Sequence, residues 1–224
     1  MVEFNLRSKW VCFCRDKLLL SHDLGENIWS VIQSKYDEPI RKYHTLEHIE
    51  DLLSELQLCQ SKITDLDAVI LAIFFHDIIY DPTAHDNEEK SAELFSDLMS
   101  DSLSDIIVQK VLLFIIATKD HGPADSKDGD LLYFLDLDMS ILGRDRLAYS
   151  QYSKKIRMEY CHIQENTFNS GRSAFLRKIL LAEKPIFLTG EFRSKMEQKA
   201  RENIAWEIEQ LERHDSSSQP SVVK

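Results

Sequence analysis

An all-α protein is what the sequence predicts, on three observations. Only six glycines and five prolines interrupt its 224 residues, apolar residues recur at three- and four-residue spacing, and no stretch shows the strict alternation of a half-buried strand. Internal repeats are absent.

Taken in order, that periodicity predicts helices over about 4–20, 24–35, 45–60, 64–80, 86–100, 103–118, 128–137, 144–163, 172–182 and 190–213. The fourth is the most apolar, running through AVILAIFF. Asp81-Pro82-Thr83 stops it, because proline cannot continue a helix. Asp86, with Glu89 three residues on, then fits an N-cap with a carboxylate in the first turn of the fifth. His76 and Asp77 thereby fall near the C-terminus of the fourth helix. Beyond Trp206 the last helix becomes strongly charged and runs into HDSSSQPSVVK, which has too little apolar surface to fold by itself. The expectation is one domain over 1–213, with a disordered tail at 214–224.

Composition narrows the function. At 43% hydrophobic and 29% charged, the chain matches a soluble globular protein. No run approaches the ~20 apolar residues that span a bilayer, and MVEFNLRSKW lacks the features of a secretory signal. A cytoplasmic location without membrane association is therefore expected. The net charge of −11 disfavours nucleic acid as a partner, since phosphates would meet repulsion, and leaves a small molecule as the default. Oligomeric state is open. Among Cys12, Cys14, Cys59 and Cys161 only the first two are close, with no second pair to complete a zinc site, so four reduced structural thiols are expected.

His-Asp occurs four times, at His22-Asp23, His76-Asp77, His85-Asp86 and His214-Asp215. Context separates them. Three lie among polar or turn residues, whereas His76-Asp77 sits inside LAIFFHDIIYDP, where a carboxylate must be protonated, hydrogen-bonded or metal-bound to be tolerated. In RKYHTLEHIEDLL, His44 and His48 are four apart and on a helix would share a face, and neutral imidazole is a common metal ligand. FLDLDMSILG adds Asp136 and Asp138 in another apolar neighbourhood. Each feature has a structural alternative, in core pairing, solvation or capping. Together, a histidine, then His-Asp about 28 residues later, then an aspartate near the start of a further helix, would place nitrogen and oxygen ligands from separate helices around one cation.

At these residues the sequence resembles the HD-domain metal-dependent phosphohydrolase superfamily, and most closely its bacterial-type branch with YHxLxHI and HDxxYDP segments. The resemblance covers about 38–145, with weaker similarity through KPIFLTGEFRSKMEQKARENIAWEIEQL. It implies an HD-like multi-helix bundle with a metal site between central helices, and a cofactor drawn from Mn²⁺, Fe²⁺, Co²⁺, Ni²⁺ or Mg²⁺, as one ion or two. In related phosphodiesterases a Tyr-His-Asn-x-x-His pattern uses its second histidine as ligand and its first as proton donor. Tyr43 to His48 matches that pattern with Thr45 in place of the asparagine, which implies His48 as ligand and His44 as acid. Leu137-Asp138-Met139-Ser140 resembles the family's last ligand stretch, so Asp138 is preferred over Asp136. The implied metal set is His48, His76, Asp77 and Asp138.

Around that set stand weaker candidates, each with a structural alternative. Asp81, four residues past Asp77, would share its helix face and orient or deprotonate a water. Arg41 would grip a phosphate through its planar fork. Asn87 and Glu88 would contact substrate from the first turn of the next helix, and His121 would bind phosphate or a second metal. The implied activity is hydrolysis of a phosphomonoester or phosphodiester, such as that of a nucleotide. A di-iron oxygenase, using His85 and His121 around a second metal, and a non-catalytic metal- or nucleotide-binding module are the rivals.

Overall fold

A computed structural model describes residues 5–120 and 126–217, with side chains through residue 213. Among the described residues there is no strand, as the periodicity predicts. Ten α-helices follow in order: α1 Leu6–Asp16, α2 His22–Tyr36, α3 Leu46–Cys59, α4 Leu66–Phe75, α5 Asn87–Met99, α6 Asp105–Ala117, α7 Gly129–Asp138, α8 Arg146–Glu159, α9 Glu165–Leu181 and α10 Gly190–Ser217. None is long and apolar enough to cross a membrane. The chain divides into two compact units, the first ending at Leu137 and the second starting at Asp138, so the division falls at the last residue of α7.

The first unit is organised around α4. All of Leu71 to Phe75 is buried, as are Ala68 and Val69, and α3, α5 and α6 pack against this helix. A helix apolar on every side demands neighbours all round. Trp10 of α1 meets Phe74 at 4.8 Å between ring centroids in an edge-on arrangement, and its indole N–H donates to the Gly25 carbonyl at 3.0 Å. At that crossing a Cβ on Gly25 would stand 3.3 Å from Cys14 Cβ. Burial pushes the Cys14 thiol up to about 12, which makes it an inert packing group. The described cysteines are free thiols.

In the second unit α10 packs along α9 and against the 3₁₀ turn Met139–Gly143. Ile204, Ile208, Ala200 and Phe187 form its core. Glu207, buried on α10, accepts hydrogen bonds from Tyr149 and from Arg172 Nε at 3.0 Å, and Arg172 also donates to Tyr152 at 3.2 Å. Burial and the Glu207 charge both raise the Tyr149 phenol, keeping it a donor.

Several helix ends differ from the periodicity. α4 stops at Phe75 rather than 80, because Ile78 stays buried without being helical and the apolar pattern continues past the helix. α3 starts at Leu46, with Thr45 as its N-cap residue. α9 starts at Glu165, seven positions ahead of 172, because ENTFNSG is polar enough to read as a loop although Phe168 and Asn169 are buried. Asp86 is the N-cap residue of α5 as expected, yet its side chain makes no capping bond and pairs with Lys90 at 2.9 Å.

Candidate metal centre

The end of α4 is set by local hydrogen bonds. His76 closes the helix, its N–H donating to Ala72 O at 2.9 Å, and Ile78 N donates to Phe75 O at 3.3 Å. Beyond it the chain turns, and Ile79 N donates to Ser91 Oγ on α5 at 3.1 Å. His48 lies in the first turn of α3, 3% exposed. The two buried imidazoles meet nitrogen to nitrogen, His48 Nε2 to His76 Nε2, at 3.3 Å. One oxygen of Asp77, Oδ2, stands 3.0 Å from His76 Nε2 and 3.9 Å from His48 Nε2.

The other side of the His76 ring decides what this means. Its Nδ1 lies 3.0 Å from Ile73 O, and a carbonyl only accepts, so the proton is assigned to Nδ1. With the proton on Nδ1, a neutral His76 would turn its Nε2 lone pair toward the second imidazole nitrogen and the carboxylate, an arrangement that a divalent cation could hold. Ligands each about 2.1 Å from one ion stand roughly 3.0–3.4 Å apart at adjacent positions, and the two nitrogens match that spacing.

Asp138, the last residue of α7, completes the group: His48, His76 and Asp138 each offer a ligand atom within 4.8 Å of the others. Asp136 is buried outside this group. Asp77 touches both histidines without belonging to the mutual set. Imidazole and carboxylate donors without thiolate fit a divalent cation that takes nitrogen and oxygen.

His44 does not share a helix face with His48, because α3 begins after it. It is half-buried, stacked on Tyr80 at 4.3 Å and 29°, with the Tyr43 ring edge-on at 5.0 Å. Its ring centroid lies 6.1 Å from that of His48. The face-sharing expected of Asp77 and Asp81 is also absent, since both follow the end of α4. Asp81 is exposed and its Oδ1 accepts from Thr83 N at 2.8 Å and from Thr83 Oγ1 at 2.7 Å. Asn87 clips the same turn from both ends of its amide, accepting from Asp81 N at 3.0 Å and donating to Asp81 O at 2.9 Å.

Glu88 is half-buried in the first turn of α5. His85 is exposed, and its carbonyl accepts from Lys119, which also pairs with Glu89. His121 lies outside the described residues. Arg41 has a side chain with 0% exposure and donates to the carbonyls of His44, Asp77 and Ile78 at 3.1, 2.6 and 2.9 Å. Sequence reasoning missed Tyr80, whose signal was its place in the HDIIYDP segment; Thr45, which departs from the family's asparagine, has a buried hydroxyl oxygen that lacks a hydrogen-bond partner among the described residues. No protein-family model, no curated protein and no solved structure matches this chain.

Proposed function

We propose that this protein is an HD-type, metal-dependent phosphohydrolase, acting on a small-molecule phosphomonoester or phosphodiester such as that of a nucleotide. The observation that carries the proposal is the convergence of the His48 and His76 Nε2 atoms with carboxylate oxygen, one imidazole being held by its Nδ1 proton as the ligand tautomer. His48, His76 and Asp138 would hold the ion, with Asp77 beside the two histidines. A divalent cation there would lower the pKa of a bound water toward neutrality and offset phosphoryl charge.

The chain supplies the rest. His44 holds the proton that the departing oxygen needs, and stacking on Tyr80 restricts its ring. Tyr43, edge-on to His44 and 4.9 Å from His48 between centroids, walls the same space with apolar surface. Asp81 receives no role, its premise having been a helix that ends too early.

The test is a screen of the protein, stripped and reloaded with Mn²⁺, against nucleotides, cyclic nucleotides and sugar phosphates, with oxygen uptake followed in parallel. Phosphate-ester cleavage that chelator stops and Mn²⁺ restores is the expected result. A fully loaded protein that cleaves none of them, or that consumes oxygen instead, overturns the proposal.

A further inference from the structure

We infer that Arg41 is a positioning residue, whose guanidinium ties the backbone at His44 to the backbone at Asp77 and so sets the proton-donating ring against the metal ligands. The assignment rests on the hydrolytic function proposed above. It replaces a phosphate grip with a clamp.

The argument starts from what fails to hold these two segments. His44 precedes α3 and Asp77 follows α4, so neither has a full set of intrahelical hydrogen bonds. Arg41 reaches both with one nitrogen, Nη1 donating to His44 O at 3.1 Å and to Asp77 O at 2.6 Å. Nη2 donates to Ile78 O at 2.9 Å and Nε to Glu38 Oε2 at 3.4 Å. His44 is thus joined through a single rigid plane to residues that lie 36 and 37 positions beyond Arg41. A guanidinium with 0% exposure and these partners has its donors turned to the protein, whereas a phosphate-gripping arginine must present its fork to the site.

The aromatic contacts extend the same linkage. Arg41 Cζ lies 4.9 Å from the Tyr36 ring centroid and 5.5 Å from that of Tyr80, and Tyr80 is the ring on which His44 stacks. The clamp therefore fixes His44 twice, through its own carbonyl and through its stacking partner. Lysine cannot substitute, because a single ammonium on a flexible stem does not span three carbonyls in a plane.

The experiment uses Arg41→Lys in the full chain, loaded with Mn²⁺ and labelled with ¹³C at histidine Cε1. Paramagnetic broadening by Mn²⁺ falls steeply with distance, so the His44 line reports its separation from the ion without any turnover. Mn²⁺ stoichiometry should stay at the wild-type value while the broadening at His44 changes. On the substrate found by the screen, kcat should fall about ten- to a hundredfold, the cost of a misplaced catalytic group, with KM nearly unchanged. A raised KM with unchanged kcat would show a phosphate grip and overturn the clamp. So would His44 broadening identical to wild type. Glu38→Gln is the second variant, loosening only the Nε contact of a half-exposed partner, and should shift the His44 broadening in the same direction by less. If Arg41→Lys does not fold, unchanged broadening in Glu38→Gln overturns the inference. Should no substrate be cleaved by wild type, the proposed function fails while the broadening still decides the clamp.

Discussion

Carboxylates stand at both ends of α4, Asp130 of α7 at one and Asp77 at the other, and their surroundings satisfy them in opposite ways. At the N-terminal end Asp130, its side chain 4% exposed, accepts from Thr64 N at 2.7 Å, Asp65 N at 2.9 Å and Lys110 Nζ at 2.8 Å. Burial works to raise its pKa, and the Lys110 ammonium with the two amides outweighs it, so the carboxyl sits below its usual range. At the C-terminal end Asp77 faces the imidazole nitrogens of His76 and His48, and His76 Nδ1 lies against the Ile73 carbonyl of the helix. Donors gather round Asp130, whereas imidazole nitrogens gather round the Asp77 carboxylate. The first arrangement is complete as a fold element, and the second has the donor set that a cation could complete. What separates the two carboxylates is the chemistry of their surroundings, not their depth.

Breaking the comparison at the metal end should give the largest effect. His48→Ala is expected to lose Mn²⁺ from the purified protein and with it all metal-dependent turnover, checked by metal analysis and phosphate release. His44→Ala should keep the metal and slow turnover by about 10²–10⁴-fold, the usual worth of a positioned proton donor. If His44→Ala empties the site instead, the roles of the two histidines are exchanged.

A smaller effect sharpens the contrast between metal and hydrogen bonds. Mn²⁺ at a hundred times its dissociation constant should stabilise the native protein by about 2.7 kcal/mol, read as a melting shift that chelator reverses. Asp77→Asn should shrink that increment, and Asp130→Asn should leave it unchanged.

The smallest effect belongs to the N-terminal end. Asp130→Asn should cost about 2 kcal/mol in urea unfolding at pH 7, the scale of a hydrogen bond to a charged group. Because the folded pKa is depressed, this advantage is present above the ordinary carboxylate value of about 3.9 and is lost as pH falls through the folded one. Lys110 is the mirror case. Burial lowers its pKa and Asp130 more than offsets that, so its contribution holds below the ordinary amine value and fades as pH rises through the raised one. The two unfolding curves should therefore converge in acid.

The helices were legible in the sequence because an apolar stripe leaves a period, and ten predicted segments each overlap one of the ten described helices. Their ends were less so. Ile78 is buried outside a helix and looks like one more helical core position, while Phe168 and Asn169 are helical but surrounded by turn-forming residues. The candidate metal group was legible for a different reason: His76 stands among apolar neighbours, while His48 and Asp138 were picked out from His44 and Asp136 by the family resemblance. What one sequence does not print is which group a polar side chain will face. Arg41, two residues before YH, reads as a phosphate grip, and its three carbonyl partners, two of them more than thirty positions away, turn its donors to the protein instead.

Gly143 has its own consequence, one for mutational drift. A Cβ there would stand 2.5 Å from Met196 Cβ on α10, while Gly129, Gly171 and Gly190 have nothing within 4 Å of the same added atom. The carbonyls on either side, Leu142 and Arg144, are held by the Asn203 amide at 2.8 and 2.9 Å, so the turn cannot back away cheaply. This turn begins directly after Asp138. Gly129, Gly171 and Gly190 have room for an added Cβ, but position 143 is pinned. A residue with no side chain thus limits how far the sequence can diverge while Asp138 keeps its address.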